Sequence, residues 1–124
     1  MSARAIILFA HGARDPEWAQ PFKRIKQLLE ARQPGVTVTL AFLEIMQPSL
    51  ADAVAQLAEA GRTSITIAPL FMAQGGHLKN DVPKILTAIR ARHPAVDVKL
   101  LPAIGDVEPV LDAIAAWLVG ATVH

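Results

Sequence analysis

Two histidines in this 124-residue chain stand beside glycine after an apolar run: His11 in Phe9-Ala10-His11-Gly12, and His77 in Gly75-Gly76-His77. A neutral imidazole can hold a divalent metal or accept a proton near neutral pH, but one lone pair cannot do both at once. A carboxylate, Glu44, closes another apolar run in Phe42-Leu43-Glu44. Two imidazoles and a carboxylate suit Co²⁺, Ni²⁺, Fe²⁺ or Zn²⁺. The same imidazoles serve equally as general bases. Taken singly, His11 is a turn histidine bonding its own loop, and Glu44 a carboxylate favoured by a following helix dipole. Arg14 and Lys79 stand near the histidines and suit an anionic ligand, although solvated surface charge accounts for them as simply. Gly75 and Gly76 either form a turn with unusual dihedrals or let a flat ligand approach the backbone.

Those residues act together only if the chain brings them to one edge. Short runs rich in Ile, Val and Leu at about 4–10, 36–43, 64–70 and 96–102 read as buried parallel strands. Helical patterns alternate with them. Asp15 and Pro16 open the first, whose apolar face is Trp18, Phe22, Ile25 and Leu29, with Pro21 kinking it or delaying its regular start. Ser49 and Asp52 cap the second, which carries Leu50, Val54, Leu57 and Ala58 and stops at Gly61. The third is expected to become regular near Asp81, with Pro83 in its first turn, Val82, Ile85, Leu86 and Ile89 inward, and His93 at its end. Asp106 is expected to cap the fourth, with Val107, Leu111, Ile114 and Leu118 on one stripe. This alternation predicts a single flavodoxin-like α/β domain over 1–124, a four-stranded parallel sheet of order 2-1-3-4 with helices on both faces. Ligands in such folds gather at the carboxyl ends of the strands, where His11, Glu44 and His77 would meet.

Composition removes several classes. The chain has no Cys, which excludes disulfides, thiolate metal sites and cysteine nucleophiles. A net charge of +1 argues against a nucleic-acid partner held by bulk electrostatics. No apolar run has the length of a membrane span and the start is too short for a signal peptide, so a cytoplasmic location and no membrane partner are expected. No phosphate-binding glycine loop, dinucleotide fingerprint or G-x-S-x-G elbow is present, and the first strand does not end in Asp. Ala10-His11-Gly12 lacks the arginine of the histidine-phosphatase triplet.

Three motifs together point further. Leu8-Phe9-Ala10-His11-Gly12-Ala13-Arg14-Asp15-Pro16, Phe42-Leu43-Glu44 leading to Gln47-Pro48-Ser49-Leu50, and Ala68-Pro69-Leu70-Phe71 with Gly75-Gly76-His77-Leu78-Lys79-Asn80-Asp81-Val82-Pro83 resemble the class II tetrapyrrole chelatases, specifically the short CbiX and SirB type sirohydrochlorin chelatases. The likeness spans about residues 5–110. It implies insertion of Co²⁺ or Fe²⁺ into sirohydrochlorin, toward cobalamin or siroheme, with the metal as substrate and no tightly bound cofactor. His11, Glu44 and His77 fall on the family's metal-binding positions, and His11 and His77 on its catalytic ones. Arg14, Lys79, Gly75, Gly76 and Leu78 would meet the macrocycle, with Phe71 and Met72 adding apolar surface. Relatives with two such domains enclose a cleft, so a chain of this length implies a homodimer. A nickel-inserting enzyme of the same short type and a non-catalytic tetrapyrrole- or metal-binding module are the alternatives.

Overall fold

A computed structural model describes residues 3–123, and of His77 the backbone only. Four strands, β1 (Arg4–Ala10), β2 (Thr37–Phe42), β3 (Ser64–Pro69) and β4 (Asp97–Leu100), alternate with four helices, α1 (Gln20–Arg32), α2 (Leu50–Glu59), α3 (Gly76–Arg92) and α4 (Glu108–Thr122). All strand pairs are parallel and the order is β2-β1-β3-β4, as the alternation predicts.

The period of two along the strands assigns their faces. Ala5, Ile7 and Phe9 of β1 join Ile65 and Ile67 of β3 and Val98 of β4 in one buried cluster. Leu50, Val54 and Leu57 of α2 and Leu78, Val82, Leu86 and Ile89 of α3 complete it. Ile7, Phe9, Ile65 and Ile67 are wholly buried, each contributing about 1.5–3 kcal/mol of transfer free energy. α1 lies against β1 and β2, and the Trp18 ring that precedes it stands 6.4 Å from that of Phe42. That face is looser: Trp18, Phe22 and Leu29 are half-buried, while Ile25 and Leu28 are exposed.

Local chemistry explains most boundaries. Asp15 caps a 3-10 turn at Pro16–Ala19, and regular helix begins only at Gln20, with Pro21 in its first positions. Ser49 Oγ accepts from the Asp52 backbone N–H at 3.1 Å and opens α2. At the other end, Gly61 N–H bonds the Ala58 carbonyl and Arg62 N–H the Leu57 carbonyl, the paired bonds that close a helix.

Two expectations fail. α3 starts at Gly76 rather than near Asp81 and carries Pro83 inside it. A proline there removes a backbone bond and costs about 3 kcal/mol, but the buried stripe Leu78, Val82, Leu86 and Ile89 runs through it and offsets that loss. α4 starts at Glu108 with Val107 as its cap, and Asp106 lies in a preceding 3-10 turn, Ile104–Asp106. Val107, Leu111 and Ile114 are only half-buried, and Leu118 is exposed. No helix of the described residues is long and apolar enough to cross a membrane.

Candidate functional site at the carboxyl edge of the sheet

His11 follows the last residue of β1, which lies between β2 and β3. Parallel register sets its neighbour. Ala10 pairs with Phe42, and the ladder continues past both strands: Leu43 N–H donates to the Ala10 carbonyl (2.9 Å) and Glu44 N–H to the His11 carbonyl (3.1 Å). The side chains therefore converge, with His11 Nε2 3.2 Å from Glu44 Oε1. Phe71, at the exit of β3, meets the imidazole edge-on with ring centroids 6.2 Å apart, and packs in turn on Phe9. One face of the imidazole's setting is thus a buried aromatic pair.

The close approach of these loops requires Gly12. It has φ 102°, and a Cβ there would collide with the Glu44 carbonyl oxygen. A second contact of this kind pins the next loop, where a Cβ on Gly105 would strike the Met72 carbonyl. Between Glu44 and Met46 the chain makes a γ-turn: Met46 N–H donates to the Glu44 carbonyl at 2.7 Å, with Ile45 at φ 69°. This is the rarer, strained form of the turn, and a β-branched residue in it costs about 1–3 kcal/mol. Phe42 N–H to the Pro48 carbonyl, 2.9 Å, ties the neck of the loop.

The His11–Glu44 pair is not a device for stability. The two side chains are 49% and 57% exposed, and ion pairs this open contribute about 0–1 kcal/mol. The 3.2 Å separation accepts a hydrogen bond when Nε2 carries the proton. It also matches the span between two donors that share one metal, about 3.0–3.4 Å for bonds near 2.1 Å at tetrahedral or octahedral angles. Proton and metal are alternatives at the same place.

The other sequence-predicted residues are distributed unevenly. Arg14 and Lys79 are exposed and have no ion-pair partner among the described residues. Gly75 caps α3 with φ −70°, so the expectation of unusual dihedrals at Gly75-Gly76 is corrected. Both glycines are exposed and border open space. His77 belongs by its backbone to the first turn of α3; its side chain lies outside the described residues. Leu78 is buried in the core cluster, as is Phe71, so neither offers its side chain to a ligand. Their apolar character is spent on packing α3 and the β3 exit. No group of three His, Cys, Asp or Glu gathers among the described residues.

Sequence reasoning missed Ile45, which is 61% exposed beside Glu44. No sequence signal marks it, because a left-handed turn position predicts Gly or Asn. It also missed a groove of about 440 Å³ between the α1 side and β2, lined by Ala19, Lys23, Lys26, Leu40, Phe42 and Met46 among others. Neither His11 nor Glu44 lines that groove.

The chain is similar to several known proteins. The CbiX family model matches residues 5–119. The sirohydrochlorin cobaltochelatase of Methanopyrus kandleri is 37% identical over 82 residues, which covers 66% of this chain and 57% of that protein. The sirohydrochlorin cobaltochelatase of Sulfurisphaera tokodaii is 35% identical over 85 residues, 68% of this chain and 69% of the other. The crystal structure of a CbiX protein from Marinobacter aquaeolei VT8 superposes with a TM-score of 0.80 at 30% identity, covering 95% of each chain. The sirohydrochlorin chelatase SirB of Bacillus subtilis subspecies spizizenii, solved with cobalt, shares the fold with a TM-score of 0.77 at 23% identity; the match covers 97% of this chain and 51% of SirB.

Proposed function

The chain belongs to the CbiX family, and on that premise we propose that it is a sirohydrochlorin chelatase inserting Co²⁺, or Fe²⁺, as substrate into the macrocycle. The observation that carries this reading is the His11–Glu44 pair, 3.2 Å apart and open to solvent at the sheet edge. Cobalt is favoured over iron and nickel because the Methanopyrus and Sulfurisphaera relatives are cobaltochelatases.

Insertion exchanges one M²⁺ for two pyrrole N–H protons, so the site must both deliver a metal and accept two protons. Neutral His11 Nε2 holds the incoming ion with Glu44 Oε1, whose charge offsets part of the metal's. Once the metal passes to the ring nitrogens, the freed imidazole accepts one pyrrole proton, the adjacent carboxylate stabilises the imidazolium and hands that proton to water, and the regenerated imidazole takes the second proton by the same route. The second imidazole is assigned to His77 by the family resemblance, since α3 begins at the same edge. Arg14 and Lys79, both exposed, together with the α3 N-terminus, suit the carboxylates of the macrocycle rim. Gly75 and Gly76, which border open space, allow the rim to come near the backbone.

A half-exposed metal site competes poorly with water, so the reading implies a cover. The cover is a second copy of this chain, forming a homodimer. Trp117, Leu118 and Val119 of α4 and Val123 after it are exposed apolar residues available for a contact between copies.

The test is an anaerobic insertion assay with sirohydrochlorin and Co²⁺, Fe²⁺ or Ni²⁺ in parallel, read by the absorption change of the macrocycle. Acceleration over the protein-free rate, greatest with Co²⁺, is the expected result. Binding of the macrocycle with no acceleration for any metal would refute the enzyme and leave a binding module.

A further inference from the structure

Ile45 and Met72 occupy matching places. Ile45 lies three residues beyond the end of β2 and Met72 three beyond the end of β3, and those strands flank β1 on either side. Both are large apolar side chains left in solvent, 61% and 56% exposed. Each stands beside or on a backbone pinned from below: the Glu44 carbonyl rests over Gly12, and the Met72 carbonyl over Gly105. Ile45 is held besides in an unfavourable conformation at φ 69°, closed by the 2.7 Å bond from Met46 N–H to the Glu44 carbonyl. A turn needing only that backbone shape would be met better by Gly or Asn. The tied loop holds this backbone in place, but the exposed Ile45 side chain gains no burial from its own core, and a ligand that covers it supplies that burial.

We infer that Ile45 is a macrocycle contact that pairs with Met72, which the family resemblance already sets against the ring, so that the two form apolar rails on either side of His11 that seat the flat, apolar face of the macrocycle and fix its centre over the imidazole. This deepens the chelatase reading and rests on it. The rails divide recognition in two: the apolar face of the ring meets Ile45 and Met72, while its charged rim meets the cations. They act on ring binding rather than on metal binding, because neither side chain is a donor for a hard or borderline divalent ion at this edge.

The experiment measures the Kd for metal-free sirohydrochlorin by fluorescence titration, the KM and kcat of cobalt insertion, and the melting temperature. Ile45→Asn, Ile45→Leu and Met72→Ser are compared with the wild type. Ile45→Asn is expected to weaken ring binding about 10-fold or more, with KM rising in step. Its melting temperature is expected to rise by about 3–6 °C as the strain is relieved. Met72→Ser is expected to weaken binding about 3–10-fold, and Ile45→Leu to recover most of the lost affinity. Unchanged Kd and KM in Ile45→Asn, with wild-type insertion intact, would overturn the rails and leave the chelatase reading standing. Dissociation of a dimer by Ile45→Asn, with ring affinity per site unchanged, would make the residue a subunit contact and overturn the inference too. Failure of the wild type itself to bind or metallate the ring would end both readings together.

Discussion

At the exit of β1, His11 follows the strand directly and Gly12, at φ 102°, lies beneath the Glu44 carbonyl. At the exit of β3, residues 70–75 intervene before α3 begins at Gly76, and Gly75 and Gly76 have no atom near where a Cβ would stand. Both exits read as glycine beside histidine in the sequence. The first is a fixed loop, in which the glycine exists to let a neighbouring backbone approach. The second is a helix start, where the glycines are permissive and the histidine is carried on the first turn. Similar residue pairs thus do different work: one lets two loops touch and sets His11 against Glu44, the other sets the opening of a helix.

Four substitutions sharpen or break that contrast. His11→Ala removes the imidazole at the fixed exit, and cobalt insertion should fall by about 10²–10⁴-fold while the fold survives, as circular dichroism would show. A rate within twofold of wild type would dissolve the distinction between the exits altogether. Gly12→Ala should be destabilised by at least about 2 kcal/mol and lose most activity, because the Glu44 loop must lift. Urea unfolding with a wild-type midpoint would show that the loops do not need their close approach. Glu44→Gln keeps the shape and removes the charge; insertion should drop about 10–100-fold, with the melting temperature nearly unchanged because the open pair contributes little. A large loss of stability instead would recast the pair as structural. Gly76→Ala is the smallest effect, a gain of about 0.5–1 kcal/mol from helix propensity, measured by thermal unfolding. A marked loss there would mean that the second exit also needs its glycine.

Much of the frame is legible in the sequence. The apolar runs give all four strands to within two residues at either end, and the observed strand order is the one expected by likeness to flavodoxin-like folds. Ser49 and Asp52 mark the start of α2, since a capping side chain acts on its own turn. The α3 start was not legible. Pro83 signals a boundary in the local code, and only the packing of Leu78 beneath the helix shows why it is overridden. The same packing withdraws Leu78 and Phe71 from the ligand surface, where their neighbours in sequence had placed them.

The site divides along the same line. His11 and Glu44 were legible as candidates because imidazole and carboxylate at strand ends are chemically conspicuous. Their meeting at 3.2 Å was not, because it depends on the ladder continuing beyond Ala10 and Phe42 and on Gly12 admitting the Glu44 carbonyl. Ile45 lies wholly on the structural side: its identity gives no hint of a left-handed turn. The sequence by itself determined the alternation of elements and the chemical types at their ends, since each is written in local periodicity and residue chemistry. The tertiary structure decided which side chains stay in the core, which backbones touch and which apolar groups are held out to solvent. Those outcomes depend on contacts between segments far apart in the chain, which local propensity cannot encode.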